Sequence, residues 1–296
     1  LNSWGERKLS AEKYLLTDVL KGELDFAGFV VSDWYGVYEI DPDKYIASVT
    51  AINAGVDMVM LPFAYKTFIR DGSDAVRVGD ISEERINDAV RRILRAKFAL
   101  GLFDTQEDTR VSGEIVGSET HRALAREAVA RSLVLLKNDA SILPLQEDVT
   151  HIRVAGSSAD NVGRQSGAWT VAWQGVDGNV LPGATSILAG IRERAGRDVI
   201  VEYSQTGEFD TGEVIADVGI AIVGETPYAE GVGDNSNPTL DAEDIATITR
   251  LKAVSKKVIV VLVTGRPLFI TRHISSWDAL VVAWLPGSEG GGVADV

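Results

Sequence analysis

Asp33 closes the apolar run Gly28-Phe29-Val30-Val31-Ser32 and is followed by Trp34, which places a carboxylate and an indole where a buried strand should meet solvent. Residues of β-branched and aromatic character bounded by Gly and polar neighbours suit a strand covered on both faces. In α/β folds the reacting side chains gather at the carboxyl ends of strands, because the loops there converge on one mouth. Asp33 is therefore a candidate catalytic carboxylate. The competing role is an N-cap for the turn or helix that follows, a common task for Asp.

Two later segments carry similar promise. In AGSSADNVGRQSGAWTVAWQG, Trp169 and Trp173 sit in a Gly- and Ser-rich loop after a strand. Their flat apolar faces match the C–H face of a pyranose ring, and Asp160, Asn161, Arg164 and Gln165 could bond hydroxyls; otherwise the two indoles plug a domain interface. In VGETPYAEGVGDN, again just past an apolar run, Glu225, Glu230 and Asp234 lie among glycines that permit close approach. The acids do not follow the spacing of a twelve-residue calcium loop. Neither GVGDNS nor GSEGGG completes a phosphate-cradling motif.

The whole chain narrows the choice. With 45% apolar and 24% charged residues over 296 positions, it reads as an ordinary globular protein of about two domains. A net charge of -14 offers no cationic stripe to nucleic acid or to an anionic membrane, so a neutral or cationic ligand fits better. No apolar run approaches the roughly 18 residues of a membrane span, and LNSWGERKLS lacks the blocks of a signal peptide. Without Cys there are no thiolate metal sites, and His121, His151 and His273 have no ligand spacing, so neither metal nor cofactor is expected.

The elements that must position these residues follow an α/β order. The sequence predicts a helix from Ala11 to Glu23 behind a Ser10 cap, a strand from Phe29 to Ser32, and a helix opened by Asp41 as cap with Pro42 as first residue. A strand from Val56 to Met60, a short helix near Ala64 to Arg70, and a long one from Glu83 to Leu100 between Ser82 and Gly101 complete a βαβα pattern. Closing a barrel takes about eight such strands, and a covered open sheet several more, so with two strands the first domain, residues 1–103, is expected to be cut at its amino end. The polar stretch from Leu102 to Gly117 reads as a linker, and residues 104–150 as linker plus a leading helix, Glu119 to Lys137. Residues 151–296 read as an open, mostly parallel sheet, incomplete at its end. Its strands are expected near Ile152–Ala155, Val199–Tyr203, Val218–Val223, Val258–Val263 and Ala279–Trp284, with helices at Ser186–Arg194 and Ala242–Ser255.

The segments GFVVSDW, AINAGVDMVMLP, DAVRRILRAKFALGLFD, SLVLLKND with ILPL, GSSADNVGRQSGAWTVAWQG, GETPYAEGVGDN and AWLPGSEG occur in an order that resembles the family 3 glycoside hydrolases, in particular their β-glucosidases and exo-β-glucan glucohydrolases. The resemblance implies the end of a (β/α) TIM-type barrel followed by an α/β/α sandwich, with the active site in a crevice between them. It implies a retaining exo-acting β-glycosidase acting on β-linked glucosides or glucan oligosaccharides, and export to the periplasm or the medium. Asp33 then resembles the nucleophile and Glu230 the acid/base, with Glu225 as its rival. Trp34 and Trp173 resemble a pair that clamps a sugar ring, supported by Trp169, with Arg164 also on the substrate side. Residues that in relatives hold the sugar from earlier barrel strands have no counterpart in this chain, so an inactive piece of such an enzyme, or a non-catalytic carbohydrate-binding protein, is the alternative.

Overall fold

A computed structural model describes residues 2–104, 113–210 and 214–296. Of the linker read at 102–117, residues 105–112 therefore lie outside the described residues. The chain forms two compact units, Leu1–Arg110 and Val111–Val296.

The first unit opens with a two-residue ribbon, β1 (Ser3–Trp4) against β2 (Arg7–Lys8). The helix expected from Ala11 under a Ser10 cap is instead a 3-10 turn, Leu9–Ala11, and then a π-wound helix, Tyr14–Glu23, that no side chain caps. Extended backbone follows where the two strands were expected. Val31 bridges Met58 in parallel, Asp57 and Met58 donate to Val30 O, and Ser32 N donates to Met58 O. The expected cover on both faces is not complete within this unit: Val31 is 48% exposed.

Helices pack on this pair. The first, α1 (Lys44–Ala54), is capped by Asp43, whose carboxylate accepts from Tyr45 N and Ile46 N; the Asp41 carboxylate accepts from Asp43 N, two residues too early to cap the helix. The short helix expected near Ala64 to Arg70 extends as α2 (Tyr65–Val78), since its apolar face continues to Ala75 and Val76, which bury against Ile52 and Ile81. The Ser82-capped α3 (Glu83–Ala99) matches its expected bounds to within a residue.

One buried charge holds the layers together. Asp57, fully enclosed, accepts from Lys21 Nζ at 2.7 Å, from Val30 N at 2.8 Å and from Arg85. Burial alone would push its carboxyl up, but hydrogen bonds from Lys21, Val30 N and Arg85 hold it below the usual carboxylate range. Removing one partner of such a pair typically costs about 3–5 kcal/mol. Since Asp57 fixes Val30, it also fixes the segment that ends in Asp33.

The second unit begins with α4 (Glu119–Ser132). The predicted continuation to Lys137 is a strand, β3 (Val134–Asn138), which forms one edge of the sheet, antiparallel to the strand Ala279–Trp284. An apolar Leu-Val-Leu-Leu run satisfies either period, and pairing with a distant strand decides it. Strands β4 (His151–Ala155), β5 (Ile200–Ser204), β6 (Ala216–Gly224), β7 (Ser255–Val263) and β8 (Ala279–Trp284) make the expected parallel sheet, in spatial order β3-β8-β7-β6-β4-β5.

Both faces of this sheet are covered, so its central strands read as unbroken apolar runs. Ile220 and Ile222 pack with Ile187, Leu188 and Ile191 of one helix, Ile187–Ala195, while Ala221 and Val223 turn to Ile248 and Leu251 of another, Ala242–Ala253. The architecture is α/β throughout: barrel-type β and α units, then an α/β/α sandwich.

A buried acid on the second helix gives a stability test. Asp244 accepts from Ser157 Oγ at 2.9 Å and from Gly224 N at 3.1 Å. Burial and then Asp241 push its carboxyl up from 3.8 to about 6. The folded state therefore binds the proton more tightly than the unfolded chain, so this group's stabilisation is present below about pH 4 and is lost as pH rises to about 6. Asp244→Asn, which keeps an acceptor for Gly224 and never ionises, is expected to stabilise this unit by on the order of 2 kcal/mol at pH 7.5. Urea melts at pH 4 should show little difference; an equal effect at both pH values would contradict the burial argument.

Candidate active site

In the first unit, Asp33 is exposed at the carboxyl end of its extended segment, as the strand-end rule anticipates. Ser32, directly before it, is buried and accepts from Met60 N, while Tyr35 N donates to Met60 O, which fixes the exit of the chain. The 3-10 turn that follows, Gly36–Glu39, has no side-chain cap, so Asp33 does not serve it as an N-cap. One Asp33 oxygen instead accepts from Trp34 N at 2.6 Å, which orients the carboxylate beside its own indole. Trp34 is 58% exposed, and Tyr35 takes a left-handed φ of 55° that turns the chain away.

In the second unit, four loops leave the carboxyl ends of neighbouring strands β4, β6, β7 and β8. The chain passes from β4 to β5 on one side and then to β6 on the other, the arrangement that opens a crevice at a sheet edge. A pocket of about 220 Å³ lies there, lined among others by Arg164 and Trp169 after β4, Glu225 and Tyr228 after β6, Thr264 after β7 and Leu285 after β8. Both loops singled out in the sequence thus reach one pocket.

The loop after β4 presents Trp169 and Trp173 with ring centroids 6.2 Å apart and 55° between planes. A Trp169 N to Trp173 O bond of 3.1 Å and a left-handed Trp169 make the fold that exposes both. Two of the expected hydroxyl binders are occupied elsewhere. Gln165 is fully buried and donates to Thr185 O and Gly287 O, and Asn161 donates to Asp177 while accepting from Arg164 N and Gly178 N. Arg164 lines the pocket while its Nε donates to Asp177 at 3.0 Å.

The two rival glutamates differ in kind. Glu225 has both oxygens engaged: Oε1 accepts from Arg266 at 2.6 and 2.8 Å, and Thr264 Oγ1 and Tyr228 OH donate to Oε2 at 2.7 and 3.2 Å. The hydrogen bond to Glu225 pushes the Arg266 guanidinium up from its ordinary value. Glu230 is exposed and opens a 3-10 turn, Glu230–Gly233, with φ of 49°.

Sequence reasoning missed Thr264, Arg266, Tyr228 and Gln174. The first two lie in Thr264-Gly265-Arg266 immediately past the buried run of β7, so the rule that selected Asp33 could have found them. Among the described residues no group of three His, Cys, Asp or Glu side chains could hold a metal ion.

Comparison with known proteins assigns the class that this architecture and pocket suggest. Residues 1–96 match the glycosyl hydrolase family 3 N terminal domain, and residues 133–296 match the glycosyl hydrolase family 3 C-terminal domain. The chain belongs to glycosyl hydrolase family 3. Among curated relatives, the lysosomal beta glucosidase of Dictyostelium discoideum is 33% identical, over 94% of this chain and 37% of that protein. The periplasmic beta-glucosidase of Salmonella typhimurium is 29% identical over 100% and 43%. Among solved structures, the exo-1,3/1,4-beta-glucanase from a Pseudoalteromonas species is 41% identical with a TM-score of 0.90, covering 100% of this chain and 38% of that one. A beta-glucosidase from Listeria innocua in complex with glucose is 27% identical with a TM-score of 0.80, covering 97% and 40%. The chain thus spans about two fifths of the length of these relatives.

Proposed function

We propose that the protein carrying this chain is a retaining, exo-acting β-glycosidase that hydrolyses β-linked glucosides or glucan oligosaccharides. Family membership supports the reaction class, and the names of its relatives, beta-glucosidases and an exo-1,3/1,4-beta-glucanase, support the substrate class. The observation that carries the residue roles is the contrast between the two glutamates: Glu225 is locked to Arg266, whereas Glu230 projects from an exposed turn.

In this reading Asp33 is the nucleophile. Its ionised carboxylate forms a bond to C1 as the C1–O bond to the leaving group breaks, and Glu230 delivers its proton to that departing oxygen. The ionised Glu230 then takes a proton from water, whose oxygen displaces Asp33 from C1 and regenerates both groups. Such double displacement requires carboxyl groups about 5–5.5 Å apart at the moment of reaction. The indoles of Trp34 and Trp173, with Trp169 as support, stack on sugar faces. Periplasmic and lysosomal relatives support work outside the cytoplasm. No helix among the described residues is long and apolar enough to cross a membrane.

The stereochemistry tests this. Followed by proton NMR, the whole protein acting on an aryl β-glucoside is expected to release β-glucose first, with the α-anomer growing in only by mutarotation. Initial release of α-glucose would overturn the retaining mechanism, and sugar binding with no hydrolysis of any β-glucoside would favour a binding protein.

A further inference from the structure

We propose that Arg266 is a positioning residue for Glu230, acting through the loop on which Glu230 is mounted; the inference rests on the acid/base reading of Glu230 given above. The Arg266 guanidinium grips both feet of this loop. At the leading foot, its Nε and one terminal nitrogen donate to Glu225 Oε1, and its plane covers the Tyr228 ring at 4.2 Å. At the trailing foot its other terminal nitrogen donates to Gly233 O at 2.5 Å.

Glu230 lies between these feet in a left-handed conformation that a residue with a side chain rarely holds, so the surroundings must impose it. Its neighbour Ala229 is tied as well, through Ala229 N to Gln174 Oε1 at 2.8 Å. Close packing leaves the loop little room to relax. A Cβ on Gly233 would stand 2.2 Å from the Tyr228 ring, and one on Gly175, at φ of 79°, would stand 2.4 Å from Pro227.

The planar fork of Arg can satisfy a carboxylate, a carbonyl and an aromatic face together, which a lysine ammonium cannot. A proton can be handed to a leaving oxygen only across hydrogen-bond distance, and a displacement of about 1 Å can cost on the order of a hundredfold in rate. Arg266 touches no reacting atom in this account. It sets where the Glu230 proton is held.

The test compares two substrates of the whole protein through kcat/KM, which reports the first displacement alone. Phenyl β-glucoside has a poor leaving group that needs acid help, and 2,4-dinitrophenyl β-glucoside has one that leaves unaided. Arg266→Ala is expected to lower kcat/KM about a hundredfold on the phenyl substrate and less than threefold on the dinitrophenyl one, with Arg266→Lys intermediate. Equal losses on both substrates in Arg266→Lys, or no loss, would overturn the inference, and Arg266→Lys decides the matter if Arg266→Ala does not fold. Glu230→Gln separates the two levels. If it splits the substrates and the Arg266 variants do not, the positioning role falls alone; if Glu230→Gln fails to split them, the acid/base reading falls.

Discussion

Asp33→Asn in the whole protein is expected to lower turnover of aryl β-glucosides by a factor on the order of ten thousand or more, the scale seen when one member of a covalent catalytic unit is removed. The substitution is nearly isosteric, and the Asn carbonyl still accepts the Trp34 N–H that orients the native carboxylate. Ser32 and Tyr35, which fix the backbone on either side through Met60, are untouched. Folding and sugar binding should therefore persist, the melting temperature shifting by no more than about a degree for an exposed site. Calorimetric titration with a slow substrate checks the binding, and steady-state kinetics checks the loss. A variant that retains a tenth of the parent activity would remove Asp33 from the chemistry.

Glu230→Gln should behave differently, because an acid/base matters in proportion to the help its substrate needs. With a poor leaving group the loss is expected to be about a hundred- to ten-thousandfold, the usual worth of general acid–base catalysis. With a dinitrophenyl leaving group the glycosyl-enzyme should still form quickly and then accumulate, since no base remains to activate water. Azide, a nucleophile that needs no base, should restore turnover and yield the β-glucosyl azide. Glu225→Gln offers the counterpart: azide should not rescue it, since the damage falls on the clamp around Arg266. Azide rescue of Glu225→Gln with none of Glu230→Gln would exchange the two roles.

The sequence reveals best what depends on local pattern. The apolar runs of β6, β7 and β8 declare strands covered on two faces, and Ser82 marks its helix by capping it. The exposed position of Asp33 at the end of its extended segment was legible because α/β folds place strand ends at the mouth of the fold. Decisions between near-equal local options were harder. Asp41 and Asp43 flank one proline, and only the geometry of α1 selects the second as cap. The run that becomes β3 fits a helix until β8 pairs with it.

The clamp was illegible for a different reason. Glu225 and Arg266 are 41 positions apart, and nothing in either neighbourhood announces that adjacent parallel strands will bring them together. The acids of the loop after β6 look alike in sequence. Their partners divide them, one acid held by a guanidinium and the other left on an exposed turn.

On the proposed mechanism Asp33 becomes covalently attached to the sugar. Incubation of the whole protein with a 2-deoxy-2-fluoro-β-glucosyl fluoride, whose C2 fluorine slows both displacements while its reactive anomeric fluoride keeps the first faster than the second, should trap that ester. Intact-mass and peptide mass spectrometry should then find one fluoroglucosyl adduct per chain, on the peptide containing Asp33. An adduct on another residue, or none while the parent enzyme turns over normally, would contradict it.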